Sequence, residues 1–334
     1  MEGNQFLSIH SKGEIVDMAI PKGVMNKPVF MKLWENYPLF SKVILDVGIF
    51  LKYKTLKLTK IPSMITLPSR NVIYINNAEN RGRALLISDG ITQSRVTEFW
   101  GNAVESYKPT LVLDIGVNYG ECIFSTKYDR DTTIVGIEAN KYLIDYIDRS
   151  RQLHVNGNQI KIIHAFAGEH VKKDQAFFID THWSGTSSGV QISEKNSIEK
   201  TEVPAITVDS LFDKEALGDQ RLLFKIDVEG YEFMVMKGMR KLLSNCHDVL
   251  GIVEFDSRYL EKAGVNLESY MNFLSEYFEI QFYDMDNQLK KLSSPSISEL
   301  LKEFGAEHVH TDLIVSAKRS KDRDSRVLCM SQPY

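Results

Sequence analysis

The chain has 334 residues, of which 43% are hydrophobic, 25% charged and 10% aromatic, the make-up of an ordinary globular protein. This excludes disordered, collagen-like and disulfide-stapled chains, and the length allows two domains or one α/β domain with an extension. Lys and Arg total 40 against 44 Asp and Glu, a formal charge of −4, so no global basic excess exists to grip nucleic acid.

The opening residues carry Glu2, Lys12 and Glu14, which interrupt any apolar leader and argue against a signal peptide. Pro38 to Lys52 is the most apolar early stretch. With Lys42 and Asp46 inside it, it falls short of the ~20 apolar residues of a spanning helix and reads as an amphipathic helix, membrane-surface contact being a secondary reading. The three cysteines, Cys122, Cys246 and Cys329, are odd in number and far apart, which suggests reduced thiols and a cytoplasmic location.

In chain order, the pattern predicts a helix within Phe30 to Phe50, β-like runs at Met64 to Leu67 and Asn71 to Asn76, and a helix over Thr92 to Ser106. Val96, Phe99, Trp100 and Ala103 give that last helix one apolar face. From Pro109 onward, short apolar runs alternate with helical segments: Leu111 to Ile115, Thr133 to Ile137, Ile160 to His164, Leu222 to Val228, Leu250 to Phe255, Ile280 to Tyr283 and Leu313 to Ser316. Strands buried on both faces look like this, which predicts a doubly wound α/β fold with a mostly parallel sheet. Phe177 to Ile206, containing WSGTSSG, reads as an insertion with a loop and a hairpin, and Asp209 after it as the N-cap of the next helix. Lys318 to Arg326 mixes charges without periodicity and reads as a polar tail.

The chemistry concentrates at strand ends. LVLDIGVNYGE places Asp114, Gly116, Asn118 and Gly120 where a first strand is expected to turn into a helix whose N–H groups face an anion. The glycines are four apart and an acid precedes them, unlike the G-x-G-x-x-G of a dinucleotide site, so a nicotinamide oxidoreductase is disfavoured. A ligand with an amino-acid end suits the turn: Asp114 for the ammonium, N–H groups for the carboxylate. Glu138, ending IVGIE with Ala139 beside it, is placed to accept from ribose hydroxyls. Phe166, after the third strand, lies where an adenine ring would pack, although a Phe beside a strand is also core material. The fourth strand ends in KIDVEGYE, with Lys225, Asp227, Glu229 and Glu232, and the fifth in VEFD with Glu254 and Asp256. Glu232 reads as solvent-facing or capping a first turn, and Glu254 as a partner for Lys225. The loop Ser184 to Gly189 suits an acceptor lid or a plain surface loop; Trp183 beside it, a sugar-stacking face or an anchor.

DIGVNYGE, IEAN, TVDSL, KIDVEGYEFMVMKGM and IVEF, in that order, resemble the FkbM family of S-adenosylmethionine-dependent methyltransferases over roughly Pro109 to Ala317. Val117 departs from the small residue the family commonly has after the first glycine. The resemblance implies a Rossmann-like, seven-stranded sheet with an antiparallel last strand and methylation of hydroxyl oxygens on sugars, glycans or secondary metabolites. It also implies S-adenosyl-L-methionine held by Asp114, Gly116, Asn118, Gly120, Glu138, Ala139, Phe166 and Asp227. Asp227 is then the expected base, Glu229 holding the substrate or orienting it. A divalent cation, should one take part, would sit on Asp227 and Glu254, but the cation-free reading is preferred. Residues 1–91 are expected to form an extension for acceptor recognition or dimerisation, 92–317 the methyltransferase domain, and 318–334 the tail. A non-catalytic cofactor-binding scaffold is the alternative.

Overall fold

The structure, a computed structural model, describes residues 38–191, 197–213, 217–284 and 288–318. The chain enters with helix α1 (Pro38–Tyr53), a hairpin of β1 (Met64–Thr66) and β2 (Val72–Tyr74), then helices α2 (Asn80–Ile87) and α3 (Ser94–Tyr107). The Glu79 carboxylate starts α2 by accepting from the N–H groups of Arg81 and Gly82, and α3 buries the apolar face that its spacing predicts. The residues of the expected first helix before Pro38, Cys329 and the tail beyond Lys318 lie outside the described residues.

Next come β3 (Leu111–Ile115), β4 (Thr133–Glu138), α4 (Ile144–Leu153) and β5 (Ile160–His164). The insertion forms its own sheet from β6 (Phe166–Ala167), β7 (Lys172–Asp180) and β8 (Ile198–Ile206), with β7 and β8 as the expected antiparallel hairpin. The chain returns through β9 (Arg221–Ile226), α5 (Glu232–Lys237), α6 (Arg240–Asn245), β10 (Asp248–Asp256), α7 (Ser257–Lys262) and α8 (Leu267–Tyr277). It ends with β11 (Phe278–Tyr283), β12 (Leu289–Lys291), α9 (Ile297–Phe304) and β13 (His310–Ala317).

The main sheet has the order β12-β11-β13-β10-β9-β3-β4-β5. Strands β5, β4, β3, β9 and β10 pair in parallel, and β13 runs antiparallel to both neighbours, the Rossmann-like arrangement with an antiparallel last strand that the resemblance implies. The sheet has eight strands rather than the expected seven, because the exposed β12 folds back on β11 as an edge hairpin. Strand order reverses between β3 and β9, so the crevice for a ligand opens at their C-terminal ends.

Alternation along the strands builds two cores. Leu111, Leu113, Ile115, Leu222, Phe224 and Ile226 face one; Val112, Leu223, Ile252 and Ile314 face the other. The second core also takes in Ile49, Ile61, Ile73, Leu85, Phe99 and Trp100, so α1 to α3 and the first hairpin roof that face of the sheet. It runs without a break across residue 91.

Two local expectations are corrected. The segment after β3 makes a single turn over 121–124, not a helix: Gly120 sits at φ +85° and the polar run STKYDRDTT follows. Asp209 caps at a distance: its carboxylate accepts from Lys241 and Leu242 N–H in the first turn of α6, not from its own 3-10 turn.

Candidate active site

The turn after β3 alternates left-handed residues, with Gly116 at φ +82°, Asn118 at +50° and Gly120 at +85°. Gly116 is required by close approach, since a Cβ there would lie 1.8 Å from the Asp227 carbonyl oxygen on the neighbouring strand end. Glu138 fastens this turn from β4: Oε2 accepts from Asn118 N–H at 2.8 Å and Oε1 from Asn140 N–H at 2.7 Å. Each oxygen keeps a lone pair for a further donor. Burial pushes the Glu138 carboxyl upward, and those two N–H bonds oppose it. Ala139 packs against the small core of Phe166, Phe177, Ile179, Val203 and Ala205. The Phe166 ring meets Tyr231 edge-on at 4.9 Å and would touch any side chain at Gly189, so it is part of that core.

Asp114 is 1% exposed; its Oδ2 accepts from Ile123 N–H, and its Oδ1 has no hydrogen-bond partner among the described residues. Among the described residues that oxygen has only the Lys225 ammonium nearby, at 3.5 Å, and at the mouth of the glycine turn it has capacity for a further cationic ligand group. Lys225 is already near, its Nζ 3.5 Å from Asp114 and 3.4 Å from Asp227, while donating to the Gly116 carbonyl at 3.0 Å. Burial acts to lower the Lys225 pKa, but Asp227 and Asp114 outweigh it and hold the ammonium charged. Lys225 therefore serves these two aspartates and not Glu254. The register explains why: Lys225 pairs with Ile252, so Glu254 comes level with Asp227.

DVEGYE forms a strained turn. Glu229 is left-handed at φ +55° and Gly230 at +99°, where a Cβ would lie 2.6 Å from the Tyr259 carbonyl oxygen. Glu232 holds the turn from inside, Oε1 accepting from Val228 and Gly230 N–H at 3.0 and 3.1 Å. It is 1% exposed, not solvent-facing, and burial pushes its carboxyl up to about 7. Ser188 donates to the Glu229 carbonyl at 2.7 Å, tying the Ser184–Gly189 loop to the turn. Trp183 carries the Arg81 guanidinium over its ring at 5.9 Å.

One oxygen from each of Asp227, Glu229 and Glu254 lies within 4.8 Å of the others, a donor set that could also hold a hard cation. Burial raises Glu229 well above the carboxylate range, with Glu254 and Asp227 adding to it. Burial and then Asp227 push Glu254 up to about 8, although His310 Nε2 lies 3.2 Å from it. Asp227 goes the other way. Burial would raise it, but Lys225, a hydrogen bond from Gln93 and the Arg81 charge together hold it below its usual range. One ionised carboxylate thus sits beside two that favour the proton.

Sequence reasoning missed Gln93, whose Nε2 donates to Asp227 Oδ2 at 3.3 Å. It is placed by Glu121, which accepts from the N–H groups of Thr92 and Gln93 at 2.5 and 2.6 Å and pairs with Arg81 at 3.0 Å. Also missed was the structural charge Glu79, which links α2, Tyr119 and Ser184 N–H. The detectable signal was Lys225, a charge at an inward position of the apolar run LLFKI.

The model of the methyltransferase FkbM domain matches residues 114–292, from the acid of β3 to the end of the β12 hairpin. The chain belongs to the FkbM methyltransferase family. Its site is read on that basis. Among solved structures, an FkbM methyltransferase from Methylobacillus flagellatus KT is similar at 14% identity and TM-score 0.36, over 71% of this chain and 54% of the other. The chain thus spans about half the length of that protein. A precorrin-6y C5,15-methyltransferase from Geobacter metallireducens aligns at 10% identity and TM-score 0.35, over 68% and 91%. The O-methyltransferase TomG from Streptomyces achromogenes, involved in tomaymycin synthesis and solved with S-adenosylmethionine, aligns at 7% identity and TM-score 0.39, over 72% and 87%. No curated protein matches the sequence.

Proposed function

We propose that this FkbM methyltransferase transfers a methyl group to a hydroxyl oxygen of a sugar, glycan or secondary metabolite, with Asp227 as the base. The observation that carries the reading is the split among the strand-end acids: Asp227 held ionised by Lys225 and Gln93, Glu229 and Glu254 pushed toward the protonated form. S-adenosylmethionine, when bound, supplies an electrophilic methyl group. Asp114 and the turn Gly116, Asn118, Gly120 would hold its amino-acid end, Glu138 its ribose, and Ala139 and Phe166 would border the base. Asp227 Oδ2 is tied to Lys225 and Gln93 and the carboxylate also meets Glu254, so Oδ1 would accept the proton of the attacking hydroxyl from beside the Glu254 carboxyl. Glu229, protonated, would donate to the acceptor or to Asp227. Alignment of the reacting atoms, fixed by the strained turns at 116–120 and 228–230, is the larger contribution.

A divalent cation would take oxygens from Asp227, Glu229 and Glu254; we prefer the proton-sharing arrangement because Lys225 already neutralises Asp227. Residues 92–317 are proposed as the methyltransferase domain, with the segment before them contributing to acceptor recognition or to a dimer. Asp227→Asn tests the base. It should retain S-adenosylhomocysteine binding by calorimetry while methyl transfer to hydroxylated glycans falls by roughly 10²–10⁴-fold. Full transfer by a variant that binds normally would eliminate Asp227 as the base, and activity abolished by chelator would replace proton sharing with the cation.

A further inference from the structure

We infer that the outer face of α1, with the basic loop that follows it, is a docking surface for an anionic lipid membrane. This does not depend on the acceptor proposed above. At about 100° per residue, Leu45 and Ile49 fall on one side of α1 and are buried against the molecule. Val43, Val47 and Phe50 fall on the opposite side and are 50–59% exposed, an apolar stripe with no covering element among the described residues. Leu56, Leu58 and Met64 continue the exposure just past the helix, at 45–51%. Single exposed apolar residues need no explanation, but six within 22 residues do.

Charge identifies the occupant. Lys54, Lys57 and Lys60 are exposed and interleave with Leu56 and Leu58, and no acid lies between Lys52 and Lys60. Lys52 is not part of this set, because it caps the Leu86 carbonyl and pairs with Asp89. Over residues 21–60 the sequence carries eight lysines against Glu35 and Asp46, in a chain whose net charge is −4. A second copy of the same face would bring like charges together, whereas lipid phosphates complement the lysines and the acyl boundary takes up Val47 and Phe50. The 16 described residues of α1 are too few to span a bilayer, and no described helix is long and apolar enough to cross one; the proposed contact is in the interfacial plane.

The test is flotation of the full chain with vesicles of phosphatidylcholine alone or with added phosphatidylglycerol, at low and physiological salt. Binding is expected only with the anionic lipid, and should weaken as salt shortens the Debye length to about 8 Å. Lys54→Gln/Lys57→Gln/Lys60→Gln should weaken it about a hundredfold, and Val47→Glu/Phe50→Glu at least about tenfold. Both variants change exposed residues, and S-adenosylhomocysteine binding reports that each is folded. Failure of the folded wild type to float would overturn the proposal, as would flotation indifferent to both variants. So would a micromolar dimer in sedimentation that Val47→Glu/Phe50→Glu dissociates, which would assign the face to a second copy.

Discussion

Lys225→Met removes the one ammonium that lies between Asp114 and Asp227 while keeping an unbranched side chain of comparable volume in the strand. Lys225 is 5% exposed and Asp114 1%, with the charges 3.4 and 3.5 Å apart, so little solvent screening remains once the ammonium is gone. Breaking a buried pair by deleting one partner costs about 3–5 kcal/mol, the penalty for a buried charge left without its counter-ion. In a domain of this size that is on the order of 10 °C in Tm. Urea unfolding at pH 7 and pH 5 separates charge from packing. Burial already holds the Asp114 pKa above its ordinary value despite Lys225, which keeps Asp227 below its own; without the ammonium Asp114 rises further and Asp227 rises with it, both above their unfolded values. The folded variant then binds more protons than the unfolded chain, and its stability recovers as pH falls. The gap between wild type and variant should therefore narrow at pH 5, and Asp114→Asn in the variant background should return part of it at pH 7. A gap below about 1 kcal/mol, or one equal at both pH values, would refute the account of Lys225 as the counter-ion.

Gln93→Ala deletes a hydrogen bond to a charged oxygen, and should lower kcat about tenfold with S-adenosylhomocysteine affinity unchanged. Equal loss of affinity would mean that Gln93 acts through the fold. Glu138→Ala strips two buried N–H groups of their acceptor in the turn that would hold the cofactor, so calorimetry should show S-adenosylhomocysteine affinity at least about tenfold weaker. Gly116→Ala forces a side chain onto the Asp227 carbonyl in a left-handed conformation, and should cost more than about 2 kcal/mol in urea. His154, 5% exposed, accepts from Asn156 N–H through Nδ1, faces the Thr126 carbonyl with Nε2, and is lowered chiefly by burial from 6.5. The unfolded chain takes up its proton first, so stability is lost as pH falls below 6.5. His154→Gln should lose less across the same interval.

What was legible in the sequence was what a local pattern determines. Continuous apolar runs matched the strands of the main sheet closely, as at Leu111–Ile115, because strands buried on both faces leave little room for polar residues; Ile160–His164, at the sheet edge, was found from its isoleucines although Lys161 and His164 are exposed. The strand-end acids were equally visible, since an ionisable group closing an apolar run has few structural uses. Long-range partners were hidden. Lys225 could be seen but its partners could not, because they depend on a register that sets Glu254 beside Asp227 and not beside the lysine. Asp209 shows the same limit, as its carboxylate caps a helix 31 residues further on. Gln93 was the hardest to see: it lies in a polar stretch before the family-matched segment and reaches Asp227 only because Glu121, in the turn after β3, gathers the N–H groups of Thr92 and Gln93. That contact ties the entrance of α3 to the strand-end chemistry. The region before β3 therefore has a direct means of acting on the proposed base, through the position of one amide.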